Sequence, residues 1–175
     1  MLESLLTEIR QCTVCEPHLP LGANPVIRAH PAAKILIIGQ APGTKVHNTS
    51  IPWNDASGER LRQWLGLDRE AFYCKGRSGD LPPRKECAPL WHAKVLEQLP
   101  NRQLTLLIGQ YAQHYYLSDK PSTLTETVQQ WQRWAPSVLP LPHPSPRNTL
   151  WLRNHPWFEQ DIVPYLRHRV KQVLT

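Results

Sequence analysis

Two short loops and four cysteines hold most of the residues in this 175-residue chain whose types and spacing could do chemistry. The first loop is Gly39-Gln40-Ala41-Pro42-Gly43. Glycine at both ends permits tight turns and lets the backbone come close to a ligand. A phosphate-cradling P-loop would need a Lys-Ser/Thr pair, and none follows here. The second loop is His143-Pro144-Ser145-Pro146-Arg147-Asn148. Its prolines fix φ and remove N–H donors, so a side chain held there keeps its position. Taken singly, either loop could be an ordinary turn. The cysteines form a tight pair, Cys12-x2-Cys15, and a wider pair, Cys74 and Cys87. Four thiolates suit an iron–sulfur cluster, and they equally suit zinc in a tetrahedron. Spacing alone does not separate the two.

These loops are positioned by an alternation of strands and helices. Lys34 to Ile38 is a short continuous apolar run closed by Gly39, the pattern of a strand buried on both faces. Leu104 to Ile108 repeats it and ends at Gly109, and Val138-Leu139 leads into the His143 turn. A further strand is expected at Ala71-Phe72-Tyr73. Helices are expected over residues 2–11, from Ser57 (near the cap) to Leu65, and over 85–98 with Leu90, Val95 and Leu96 inward. They are also expected over 110–117, 123–134 and from Trp157 to Leu174, where Pro164 should kink or break the helix. Residues 39–56 read as one long loop. The pattern predicts an α/β fold, a three-layer α/β/α sandwich around a mostly parallel central sheet, in a single domain spanning 1–175. In such sheets ligands sit at the carboxyl ends of the strands, where both loops fall.

The bulk composition fits this. Lys and Arg number 20 against 14 Asp and Glu, a formal net charge of +6 that suits a polyanionic partner. Eighteen prolines stiffen the loops. The N-terminal stretch has acidic residues where a secretory signal needs basic ones, and the apolar run Ile35-Leu36-Ile37-Ile38 is far too short to cross a bilayer. A cytoplasmic protein with no membrane association is expected, with its cysteines as thiols or metal ligands. A monomer is expected.

In this order and spacing, the two loops resemble the signature motifs of the uracil-DNA glycosylase superfamily. Between them, Pro52-Trp53-Asn54-Asp55-Ala56-Ser57-Gly58 resembles the family segment in which an aromatic residue precedes a Ser-Gly pair and a helix. The likeness runs from Cys12 to the C-terminal helix. It implies cleavage of an N-glycosidic bond in DNA containing uracil or another deaminated base, after the nucleotide is flipped out of the stack. On the matching positions it implies that His143 and the backbone of Gly39, Gln40, Ala41, Pro42 and Gly43 hold the departing base. Trp53 stacks it, with Asn54 alongside, and Asp55 supplies a carboxylate. Ser145, Pro146, Arg147 and Asn148 take the place of the family's DNA-inserting loop. One branch carries a 4Fe-4S cluster on four cysteines, which implies Cys12, Cys15, Cys74 and Cys87 as its ligands here, with zinc as the alternative.

The chain departs from that branch in two places. Gln40 stands where Glu is usual, and a carboxamide cannot act as a base. No asparagine follows the middle segment Phe72-Tyr73-Cys74-Lys75-Gly76-Arg77 to read a uracil edge. Two readings follow: an active glycosylase, favoured by Asp55 and the intact His143 turn, and a non-catalytic DNA-binding relative that keeps the metal site.

Overall fold

The structure is a computed structural model that describes residues 1–74 and 87–175. Three strands form one sheet in the order β1 (Ile35–Ile38), β2 (Leu104–Ile108), β3 (Val138–Leu141). All pairings are parallel, with Ile35 opposite Leu104 and Leu106 opposite Leu139. Side chains alternate between faces, so one strand feeds two cores. Ile35 and Ile37 join a core with Leu61, Trp64 and Leu65 of α3 (Ala56–Leu65) and with Leu166, Val170 and Val173 of the C-terminal helix. Leu36 and Ile38 join the opposite core, with Leu2, Leu6 and Ile9 of α1 (Leu2–Arg10) and with Trp91 and Val95. Burial on both faces is what makes the strands near-continuous apolar runs, interrupted in β2 by half-buried Thr105, and it yields the expected α/β/α layering around a parallel sheet.

β3 extends to Leu141, two residues beyond the expected stretch. It tolerates Pro140 because it is an edge strand, where an absent N–H costs no ladder bond. The residues between β1 and α3 are not one loop, since α2 occupies Thr44–Thr49. Ala71-Phe72-Tyr73 is not a strand. These residues lie in α4 (Arg69–Cys74), where Asp68 accepts a hydrogen bond from the Ala71 N–H at 2.7 Å. That cap satisfies an otherwise orphaned donor and commits the aromatic run to helix.

The expected helix over 85–98 is described from Cys87. A wide π-type turn at Ala88–His92 precedes α5 (Ala93–Glu97). The turn shifts the inward face by a residue: Leu90 is 38% exposed, whereas Trp91, His92 and Val95 are buried. Residues 85 and 86 lie outside the described residues. After β2 come α6 (Gly109–Tyr116) and α7 (Leu124–Gln129), the latter opened by a reciprocal Thr123–Glu126 capping box. After β3 come α8 (Thr149–Asn154) and α9 (Val163–Leu174). The helical path expected from Trp157 to Leu174 runs without a gap: a π-type turn at Phe158–Ile162 leads directly into α9, and Pro164 lies in the first turn of α9 without breaking the chain's helical course. Among the described residues no helix is long and apolar enough to cross a membrane.

Candidate functional site

The loop after β1, the N-terminus of α3 and the turn after β3 meet at the carboxyl end of the sheet. They enclose a cavity of about 570 Å³, lined by Gln40, Ala41, Pro42, Gly43, Thr44, Val46, Trp53, Asp55, Ser57, His143, Ser145, Arg147 and Asn148. Of the residues expected here, Gly39 is buried at the foot of the loop, while Asn54 and Pro146 do not line the cavity. The Asn54 carboxamide is engaged elsewhere: its Oδ1 accepts from Arg69 at 2.7 Å and its Nδ2 donates to Thr49 Oγ1 at 3.4 Å.

His143 is held by its own turn. Its Nδ1 accepts the Ser145 N–H at 3.2 Å, and its carbonyl accepts from Asn148 Nδ2 at 2.8 Å. An Nδ1 that accepts leaves the proton of the neutral ring on Nε2, so the ring presents a donor there. Burial holds the His143 pKa below the ordinary histidine value, and the nearby Asp55 carboxylate pulls the other way without cancelling it. A 3₁₀ turn at Pro146–Asn148 continues the loop, with Ser145 Oγ accepting the Arg147 N–H at 3.2 Å. From α3, Arg60 donates to the Ser145 carbonyl at 2.9 Å and to Thr149 Oγ1 at 3.2 Å. The helix that begins at Asp55 therefore also clamps the His143 turn.

Asp55 caps α3, and Ser57 is buried within the first turn. The cap uses one carboxylate oxygen: Oδ1 accepts the Gly58 N–H at 2.9 Å. Oδ2 lies toward the Gly43 loop, 3.8 Å from where a methyl group on Gly43 would sit. Capping and a role in the cavity thus fall to different atoms of one side chain.

Trp53 sits at φ +58°, and Arg62, itself buried, donates to its carbonyl at 3.1 Å. Its ring centroid is 5.9 Å from that of His143. Only 3% of Trp53 is exposed, so it is a wall shared between cavity and core and not an open platform. The Gln40 carboxamide lies across the end of β2. A methyl group on Gly109, which adopts φ +82°, would stand 2.4 Å from Gln40 Nε2. Sequence reasoning missed Arg60, Thr44 and Ser57. The glycine closing β2 was the one visible sign of the close approach at Gly109.

A second cavity of about 400 Å³ lies behind the first loop. Its wall is mostly apolar, including Ile9, Leu21, Val26, Ile27 and Trp91, and it takes in Cys12, Cys15 and Cys87. The Cys15 and Cys87 sulfurs are 3.8 Å apart, a contact well beyond disulfide length. Two of the four expected ligands, Cys15 and Cys87, are therefore in contact, and Cys12 lines the same cavity. The Cys74 side chain lies outside the described residues. Among the described residues no three His, Cys, Asp or Glu side chains are drawn together tightly enough to hold a single ion. An apolar cavity faced by thiols has room for a bulky group whose iron cations would offset the charge of the thiolates. Ala41 and Pro42 line both cavities, so the thiol chamber and the candidate active site share a wall.

Comparison with known proteins agrees with this geometry. The family model described as the uracil DNA glycosylase superfamily matches residues 28–167. A Type-4 uracil-DNA glycosylase of Thermotoga maritima is 23% identical over 157 residues, covering 83% of this chain and 82% of the relative.

Proposed function

The chain belongs to the uracil DNA glycosylase superfamily, and from that premise we propose that it is a DNA base-excision glycosylase. In this reading it hydrolyses the N-glycosidic bond of uracil or a related deaminated base flipped out of the stack. The observation that carries the reading is the pairing of a neutral, Nδ1-locked His143 with the uncapped oxygen of Asp55 at one cavity.

The chemistry follows from charge. As the glycosidic bond lengthens, negative charge gathers on a carbonyl oxygen of the base and positive charge on the sugar. The Nε2–H of His143, with N–H groups of the Gln40–Gly43 loop, stabilises the first. A neutral ring is the right form, because it gives a hydrogen bond without a proton being taken up and lost in the cycle. Asp55 Oδ2 faces the second charge and orients the water that completes hydrolysis. In this reading Trp53 walls the base, and Arg147 and Asn148, which also line the cavity, meet the DNA. Cys12, Cys15, Cys74 and Cys87 would hold a 4Fe-4S cluster, whose contribution is to pin the end of α1 against the segment entering α5. Iron and acid-labile sulfide in the purified protein, with zinc absent, would support the cluster over a zinc site.

The test is single-turnover base release from single- and double-stranded DNA containing uracil, comparing the native chain with His143→Ala. Loss of the donor should slow release by about 10²–10³-fold while DNA binding persists. Unchanged release would remove His143 from the mechanism. If the native chain bound DNA yet released neither uracil nor another deaminated base, the chain would instead be a non-catalytic DNA-binding relative, a role consistent with Gln40 being a carboxamide.

A further inference from the structure

Three arginines from separate parts of the chain converge on one aromatic ring. The guanidinium carbons of Arg28, Arg62 and Arg69 lie 5.6, 5.9 and 5.2 Å from the centroid of Tyr73. Arg62 is 6% exposed and committed to the fold through the Trp53 carbonyl. Arg69 is exposed and gives one N–H to Asn54 Oδ1. Arg28 is half-buried and makes no hydrogen bond to any described residue. No carboxylate pairs with any of the three among the described residues, where the arginine ion pair present, Arg133 with Asp119, involves none of them.

Like charges gathered without a counter-charge repel one another, and a half-buried guanidinium with idle donors has surrendered hydration for nothing within the chain. Stacking on an aromatic face fixes the plane of a guanidinium and leaves its N–H edge for a planar or tetrahedral oxyanion. We propose that Arg28 and Arg69, set on Tyr73 with buried Arg62 behind them, form an anion site that takes a backbone phosphate of the DNA strand. The phosphodiester partner rests on the glycosylase reading; the anion chemistry does not.

The site adjoins the strip of chain that carries Trp53 into the cavity wall. Tyr73 Oη donates to the Pro52 carbonyl at 2.8 Å, Arg62 holds Trp53 and Arg69 holds Asn54, so the cluster grips residues 52–54. The next residue is Asp55. A phosphate bound here braces the strip that carries Trp53 and Asp55, linking backbone recognition to the base cavity.

Affinity for undamaged duplex DNA, measured by fluorescence anisotropy across a salt series, tests this. Each lost phosphate contact should flatten the slope of log K against log salt by about one. Arg28→Gln is the clean variant, since Arg28 touches the Tyr73 ring but makes no hydrogen bond or ion pair to a described residue. Arg69→Gln should act alike, Arg28→Lys should restore most of the slope, and Arg133→Gln should keep the native slope. A native slope in both Arg28→Gln and Arg69→Gln overturns the site. Protection from thermal unfolding by inorganic phosphate, lost in Arg28→Gln while the DNA slope stays native, would assign the site to a free phosphate and overturn the strand assignment. A flattened slope in a chain that releases no base would sink the glycosylase reading and keep this site. A chain that binds no DNA would sink both.

Discussion

Replacing Asp55 by Asn and by Ala should separate two effects that share one side chain. Oδ1 caps α3 through the Gly58 N–H at 2.9 Å, and Oδ2 is left toward the cavity. Asn is as good an N-cap as Asp, so Asp55→Asn should lose only the attraction between a negative charge and the helix N-terminus, about 0.5 kcal/mol. Ala loses the cap as well and should cost about 1–2 kcal/mol. Catalysis should ignore this difference. Both variants lack the carboxylate, and each should slow base release by about 10²–10⁴-fold, equivalent to about 3–5 kcal/mol of barrier. A change in the charge of His143 cannot mimic that loss. Asp55 raises the His143 pKa against burial, so its removal leaves the imidazole still more firmly neutral. Urea unfolding gives the first quantity and single-turnover release the second. If Asp55→Asn released base within a few-fold of the native rate, the carboxylate would have no part in the chemistry. If it were as unstable as Asp55→Ala, the capping account would fail.

Two further predictions concern stability. Gly58→Ala places a methyl carbon 1.7 Å from the Trp53 carbonyl oxygen and 2.6 Å from its carbon, both backbone atoms that cannot step aside. A gain of about 1 kcal/mol in helix propensity should be overwhelmed, leaving a net loss of about 2–3 kcal/mol by thermal unfolding. A Gly58→Ala variant as stable as the native chain would contradict the packing of Trp53 on α3. His92 is buried, bonded through Nδ1 to the Tyr116 hydroxyl, and burial lowers its pKa to about 4. Its unfolded value is near 6.5, so the unfolded chain takes up the proton first on acidification. The stability due to neutral His92 should be whole above about pH 6.5 and drain away as pH falls through about 4, by up to about 3 kcal/mol. His143, also shifted down, acts in the same direction, so His92→Gln should flatten this acid limb without abolishing it. An unchanged limb would refute the assignment to His92.

The layered sheet was legible in the amino-acid sequence, because strands buried on both faces are apolar nearly throughout, as β1 is entirely and β2 is but for half-buried Thr105. It also placed the Gly39 loop and the His143 turn at the ends of strands, where glycine and proline mark the exit of the chain from the sheet. Asp55 was legible both as a cap and as a candidate carboxylate, but local pattern could not say that different oxygens would serve each purpose. Tertiary structure decided the rest. Phe72 and Tyr73 suit either strand or helix, and the cap from Asp68 with packing beneath three arginines settled them as helix. The register at Leu90 and Trp91 turned on one wide turn that no periodicity announces. Asn54 was drawn out of the site by Arg69, and Arg60 was drawn into its frame by Ser145, far along the chain. Periodicity and capping act over one or two turns and can be read along the chain. The partner of a long polar side chain depends on which distant backbone the packed core brings within about 3 Å, and only the folded chain decides that.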